Sequence, residues 1–159
     1  QGTAFKIYLP VVSNPEAQTE IDQEQAAMPR GGAETLLVVD DELPVREAAT
    51  EILQYFGYQV LCAENAEKAI ELYRAYQNRI SLVILDLSMP GMGGNQCLRE
   101  LLALNPAAKV IISSGYAADG LAREALESGA CGFIGKPYQA ADIAQKVRNV
   151  LDEGTDQPS

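Results

Sequence analysis

The sequence predicts an α/β fold: a doubly wound, five-stranded parallel sheet with helices on both faces. Three observations predict it. Between about Glu34 and Glu153, strand-like and helix-like stretches alternate five times with short connections, the pattern of a parallel sheet whose crossovers are helices. Leu82-Val83-Ile84-Leu85 is an unbroken apolar run rich in branched side chains, as suits a strand buried on both faces. Acids follow two such runs at once: Asp40-Asp41-Glu42 after Val38-Val39, and Asp86 after Leu85. They stand where parallel strands end, at the edge where open α/β sheets place their chemistry.

Residues 1–12 alternate Phe5, Ile7 and Leu9 with Lys6 and Tyr8, a short strand signal that suits a leader or an extra edge strand. Residues 13–34 are rich in Glu, Gln, Ala and small polar residues, punctuated by Pro15, Pro29, Gly31 and Gly32. They read as a linker whose few apolar side chains do not offset the entropy of ordering. Thr35–Val39 is the first strand. Pro44 opens the first helix, where its missing N–H costs nothing. Val45, Ala48, Ala49, Ile52, Leu53 and Phe56 make its apolar face, and Gly57 ends it. Tyr58–Ala63 is the second strand, and Asn65 caps the next helix, whose stripe is Ala66, Ala69, Ile70 and Tyr73. After the Leu82–Leu85 strand, Ser88, Pro90 and several glycines make a loop. Asn95–Leu104 is the third helix, with Cys97 or Leu98, Leu101 and Leu102 inward. Lys109–Ser113 is the fourth strand, Leu121–Ser128 a helix closed by Gly129, and Gly132–Ile134 the fifth strand. Ala140–Asp152 is the last helix, and residues 154–159 a polar tail.

Composition narrows the function. The chain has 159 residues, a net charge of −10 and no histidine. An acidic surface repels nucleic acid and anionic lipid, so neither DNA binding nor direct membrane contact is expected. Without histidine there is no imidazole general base, His-based metal site or phosphohistidine in this piece. Cys62, Cys97 and Cys131 have no metal-ligand spacing and imply no disulfide framework. Cys62 and Cys131 lie in strand-like stretches and are expected to be small buried fillers. A reducing, cytoplasmic setting fits.

Right-handed crossovers place all the strand ends on one edge, so Asp40, Asp41, Asp86, Ser114 and Lys136 are expected to converge. Singly, Asp40-Asp41 reads as a solvated loop and Lys136 as a surface lysine; convergence changes that. Three carboxylates, ionised at neutral pH, call for a hard cation with oxygen ligands, and Mg²⁺ suits them. Asp40, Asp41 and Asp86 would hold it, with the Ser88 carbonyl as a further ligand. Asp86 is the candidate nucleophile, attacking a phosphoryl group to form an aspartyl phosphate, with Lys136 neutralising the developing charge. Ser114, with Ser113 as its rival, offers a hydroxyl to the new phosphate. Phe133 is explained by packing alone, yet it can swing inward when Ser114 moves and so convert a local charge event into a surface change.

Four motifs stand in the order and spacing of a known family: VVDDE at 38–42, LDLSMPGMGG at 85–94, SSGY at 113–116 and GFIGKPY at 132–138. Residues 35–153 resemble the receiver domain of two-component response regulators. The resemblance implies a flavodoxin-like receiver fold with strand order 2-1-3-4-5. It implies Asp40 and Asp41 as metal acids, Asp86 as phosphoacceptor, Ser114 and Phe133 as the switch pair, and Lys136 as the phosphate-sensing lysine. It further implies Ser88 and Tyr116 as positions that tune acyl-phosphate hydrolysis. Many members carry an acid where this chain has Gly93, and the switch aromatic is Phe rather than Tyr. Residues 1–12 resemble the end of a histidine-kinase ATP-binding domain, through Gly2, Thr3, Phe5, Ile7, Tyr8, Leu9 and Pro10.

Together these imply the C-terminal receiver of a bacterial hybrid sensor histidine kinase whose catalytic part lies upstream and which could be membrane-attached. The receiver would catalyse its own phosphorylation and dephosphorylation. Its partner would be the phosphohistidine of a kinase dimerisation or phosphotransfer domain. It would be a monomer or a weak homodimer through the face of the fourth helix, fifth strand and fifth helix. The alternatives are a stand-alone regulator acting in trans and an aspartyl-phosphate-type phosphohydrolase. The latter expects a second Asp where Ser88 stands.

Overall fold

The computed structural model describes residues 28–115 and 119–153. In chain order its elements are β1 (Thr35–Val39), α1 (Leu43–Tyr55), β2 (Gln59–Ala63), α2 (Ala66–Tyr76), β3 (Ile80–Asp86), α3 (Gly93–Leu104), β4 (Val110–Ser114), α4 (Asp119–Glu127), β5 (Gly132–Gly135) and α5 (Ala140–Asp152). The strands form one sheet in the order β2-β1-β3-β4-β5, all neighbours parallel. This is the expected doubly wound α/β fold. The readings of residues 1–12, of most of the linker, of Tyr116 and of the tail at 154–159 lie outside the described residues.

Side chains alternate across a strand, and two cores follow from that. Leu37, Val39, Val83, Leu85, Val110 and Ile112 meet α2, α3 and α4 on one face. Leu36, Val38, Leu82, Ile84, Ile111 and Ile134 meet α1 and α5 on the other. Each fully buried aliphatic side chain contributes about 1.5–3 kcal/mol relative to exposure, and the three central strands hold most of the fully buried Leu, Ile and Val side chains.

Local signals mostly place the helix ends. Pro44 lies in the first turn of α1. Asn65 Oδ1 accepts the Lys68 amide at 2.8 Å, closing the start of α2. Two helices begin two residues earlier than their apolar spacing predicts, α3 at Gly93 and α4 at Asp119. Gly94 is required by close approach: a Cβ there would stand 2.4 Å from the Asp86 carbonyl oxygen and 2.5 Å from Leu87 Cα.

Two cysteine expectations are corrected. Cys62 and Cys131 are exposed, and Cys97 is the buried one. Cys62 lies on the edge strand β2, and Cys131 precedes the opposite edge strand β5; a sheet edge covers less of each residue than the centre does. Ala48, assigned to the apolar face of α1, is also exposed, because that helix buries a narrow stripe centred on Ala49 and Leu53.

The last residues before β1 are docked. The Gly32 amide donates to the Phe56 carbonyl at 3.1 Å, and the Gln59 amide to the Glu34 carbonyl at 3.0 Å. Arg148 on α5 pairs with Glu34 at 3.0 Å and Asp152 at 2.7 Å.

Candidate functional site

β1 and β3 are neighbours in register, Val39 opposite Leu85. The next residues, Asp40 and Asp86, therefore leave the sheet side by side. Both are 1% exposed, whereas Asp41 is exposed. Carboxylate oxygens of Asp40, Asp41 and Asp86 all lie within 4.8 Å of one another. Lys136 arrives from the end of β5, its amide donating to the Ser114 carbonyl at 2.9 Å. The Lys136-Pro137 bond is cis. Lys136 Nζ lies 2.7 Å from Asp40 Oδ2 and 3.2 Å from Asp86 Oδ2.

Backbone amides hold the other oxygen of each buried carboxylate. Asp40 Oδ1 accepts the Glu42 amide at 2.9 Å, and Asp86 Oδ1 accepts the Ser88 amide at 3.1 Å. The Asp40 carbonyl accepts from Arg46 on α1. Asp40 Oδ2 is buried and ion-paired with Lys136 Nζ at 2.7 Å. Burial pushes the Asp86 carboxyl above its usual range; the Ser88 amide and the Lys136 charge oppose the rise, and Asp40 adds to it. Burial disfavours the charge on Lys136, but Asp40 and Asp86 outweigh it and raise its pKa. One ammonium against two buried carboxylates leaves a local excess of negative charge, costly at low dielectric.

A donor set made only of oxygens, with one ammonium against two buried carboxylates, fits a hard divalent cation such as Mg²⁺. The same pocket sets a carboxylate beside a lysine ammonium, a pairing suited to an incoming phosphoryl group.

Asp40, Asp41, Asp86 and Lys136 thus meet. Ser88 stands just after β3, exposed, with its amide on Asp86. Ser114 ends β4 and is fully buried; its hydroxyl donates to the Gly115 carbonyl at 3.1 Å. Phe133 on β5 is 41% exposed, not core. Its edge strand alternates buried and exposed residues. A groove of about 660 Å³ runs from Ser114 past Phe133 and Lys136 to Asp142 and Lys146 of α5. Ser113 is held elsewhere: its hydroxyl lies 2.6 Å from the Tyr138 hydroxyl. The sequence reading gave Tyr138 no role; the available signal was a phenol directly after Lys136-Pro137 and a pair of adjacent serines.

With this fold and cluster in view, comparison with known proteins is direct. Residues 36–148 match the response regulator receiver domain family, and the chain belongs to that family of two-component signalling domains. Among its relatives is the sensor kinase CckA of Brucella abortus, 35% identical over 160 residues that cover 96% of this chain and 17% of the kinase. The chain therefore spans under a fifth of that relative. A receiver domain protein from Clostridium thermocellum superposes with a TM-score of 0.74 at 29% identity, over 77% of this chain and 97% of the other. The CheX-CheY-BeF3-Mg²⁺ complex from Borrelia burgdorferi contains a chain that superposes at 0.71 with 31% identity, over 74% of this chain and 89% of that one. Among the described residues, no helix is long and apolar enough to cross a membrane.

Proposed function

We propose that this chain is a phosphorelay receiver that takes a phosphoryl group from a phosphohistidine onto Asp86, as part of a hybrid sensor histidine kinase. The observation that carries the reading is the buried Asp86 carboxylate, paired with Lys136 and grouped with Asp40 and Asp41.

An Asp86 oxygen attacks phosphorus as the N–P bond of the phosphohistidine breaks. The bonding pair returns to the imidazole, which takes a proton from solvent, and Asp86 becomes an acyl phosphate. Asp40, Asp41 and Asp86, with the Ser88 carbonyl, would hold Mg²⁺, which when bound supplies positive charge against the phosphoryl oxygens. Lys136 neutralises charge on the same oxygens from the β5 side. The Ser114 hydroxyl turns from the Gly115 carbonyl to the new phosphate, and Phe133 follows it inward, changing the face of α4, β5 and α5. Phe133 starts exposed beside a groove, so its movement opens no core cavity. Ser88 and Tyr116 tune hydrolysis. The alignment with CckA covers 96% of the chain, past the receiver on the amino side, and this supports the hybrid-kinase setting, a cytoplasmic receiver and a phosphohistidine partner.

The test is intact mass after incubation with Mg²⁺ and acetyl phosphate, with Asp86→Asn in parallel. One labile phosphoryl group is expected, absent without Mg²⁺ and absent in the variant. Folded protein that gains none, either from acetyl phosphate or from a phosphohistidine kinase domain, overturns the reading.

A further inference from the structure

Two serines follow one another at the end of β4, and their hydroxyls differ in what they touch. Among the described residues, the Ser114 hydroxyl bonds only to the next carbonyl in the chain. Ser113 is fully buried and bonds to a phenol twenty-five residues away, the Tyr138 hydroxyl, at 2.6 Å. Ser113 is also the register partner of Asp86, and its carbonyl accepts the Leu87 amide at 3.1 Å. One residue is thereby fastened at once to the strand of Asp86 and to the segment that follows Lys136.

That segment, Lys136-Pro137-Tyr138-Gln139, links β5 to α5. It has to hold a lysine, whose charge rides on a flexible four-carbon stem, within reach of Asp40 and Asp86 together. Among the described residues, two polar ties fasten it to β4. One is the Lys136 amide on the Ser114 carbonyl at 2.9 Å. The other is the Tyr138 hydroxyl on Ser113. The Tyr138 ring packs against the α1–α5 core, so the hydroxyl adds direction to a contact that packing alone leaves free to slide. Burial pushes the phenol up to about 12, against the opposing Ser113 bond, and it therefore stays protonated at neutral pH.

We infer that Tyr138 is a positioning residue for phosphoryl transfer: through its bond to Ser113 it fixes the loop that aims Lys136 at the Asp86 carboxylate. This rests on the reading of Asp86 as the acceptor. By the same bond Ser113 is kept from the phosphate, leaving Ser114 as the hydroxyl that answers it.

The experiment measures phosphorylation by acetyl phosphate at saturating Mg²⁺ for the unaltered chain, Tyr138→Phe, Ser113→Ala and the double variant, alongside Mg²⁺ affinity and thermal stability. Tyr138→Phe keeps the ring and is expected to slow the maximal rate about tenfold or more, because small misplacements of a charge-stabilising group are costly in rate, with Mg²⁺ affinity nearly unchanged. Ser113→Ala should match it, and the double variant should be no slower than either, as for two ends of one contact. Val147→Ala loosens the same core away from the loop and should lower stability without slowing the reaction. Tyr138→Phe at the unaltered rate, a double variant with multiplied losses, or equal slowing by Val147→Ala overturns the positioning role alone. If the unaltered chain takes no phosphoryl group, the acceptor reading falls and this role falls with it.

Discussion

β3 and β5 lie in one sheet, two places apart, and are built to opposite rules. Six of the seven residues of β3 are buried and none is exposed. β5 has four residues that alternate buried and exposed, and its one aromatic stands 41% in solvent. The first strand ends in Asp86; the second carries Phe133 and delivers Lys136. In the proposed function the difference divides the labour of the site. The group that must not move is mounted where packing on both faces fixes it, and the group proposed to move sits where moving it empties nothing. Precision at a site comes from supporting elements of this kind, and mobile pieces are drawn from regions with few buried contacts.

The contrast can be broken by substitution. Leu85→Ala, at a fully buried central position, should lower unfolding free energy by about 2–5 kcal/mol, read by chemical denaturation; a loss like that of an edge residue would erase the distinction. Lys136→Gln should slow labelling of Asp86 by about 10²–10³-fold, the scale for one charge-stabilising donor, with Mg²⁺ still bound, as measured by intact mass against time. Gly94→Ala forces a methyl against the Asp86 carbonyl and Leu87 Cα and should cost about 1–3 kcal/mol, with labelling slowed in step, since the strain falls on the backbone of the proposed nucleophile. Phe133→Ala should change stability by no more than about 0.5 kcal/mol and leave labelling intact, while removing the phosphorylation-dependent change in hydrogen exchange over α4, β5 and α5. Labelling lost with Phe133 would mean that the edge strand serves the chemistry as well as the response.

What the sequence disclosed and what it withheld divide along the same line. The run Leu82–Leu85 announces a strand covered on both faces, and Asp40 and Asp86 announce a carboxyl edge, because both signals are local and the topology then compels their meeting. Cys62, Cys131 and Phe133 resist such reading. Each lies in a stretch with strand character, but its exposure is set by whether that strand ends up at the centre or the margin of the sheet. Strand order is a property of the whole chain. Tyr138 is harder still: its meaning depends on Ser113, a partner that only the closing of β4 and β5 brings near. The docking of Gly32 and Glu34 was hidden by composition, since Gly and Glu in a polar stretch look like the linker around them until Phe56 and Arg148 are in place.

That docked segment has a geometrical consequence. In a parallel sheet every strand enters by one rim and leaves by the other, and the tie of Gly32 to Phe56 fastens the chain at the entering rim. The acids stand at the far rim, one strand length away; five residues at about 3.3 Å each make that about 16 Å. The domain is wired from behind, like a lamp whose cord leaves the base. Gly32 and Glu34 thus hold the described chain to the side of the sheet that faces away from Asp86.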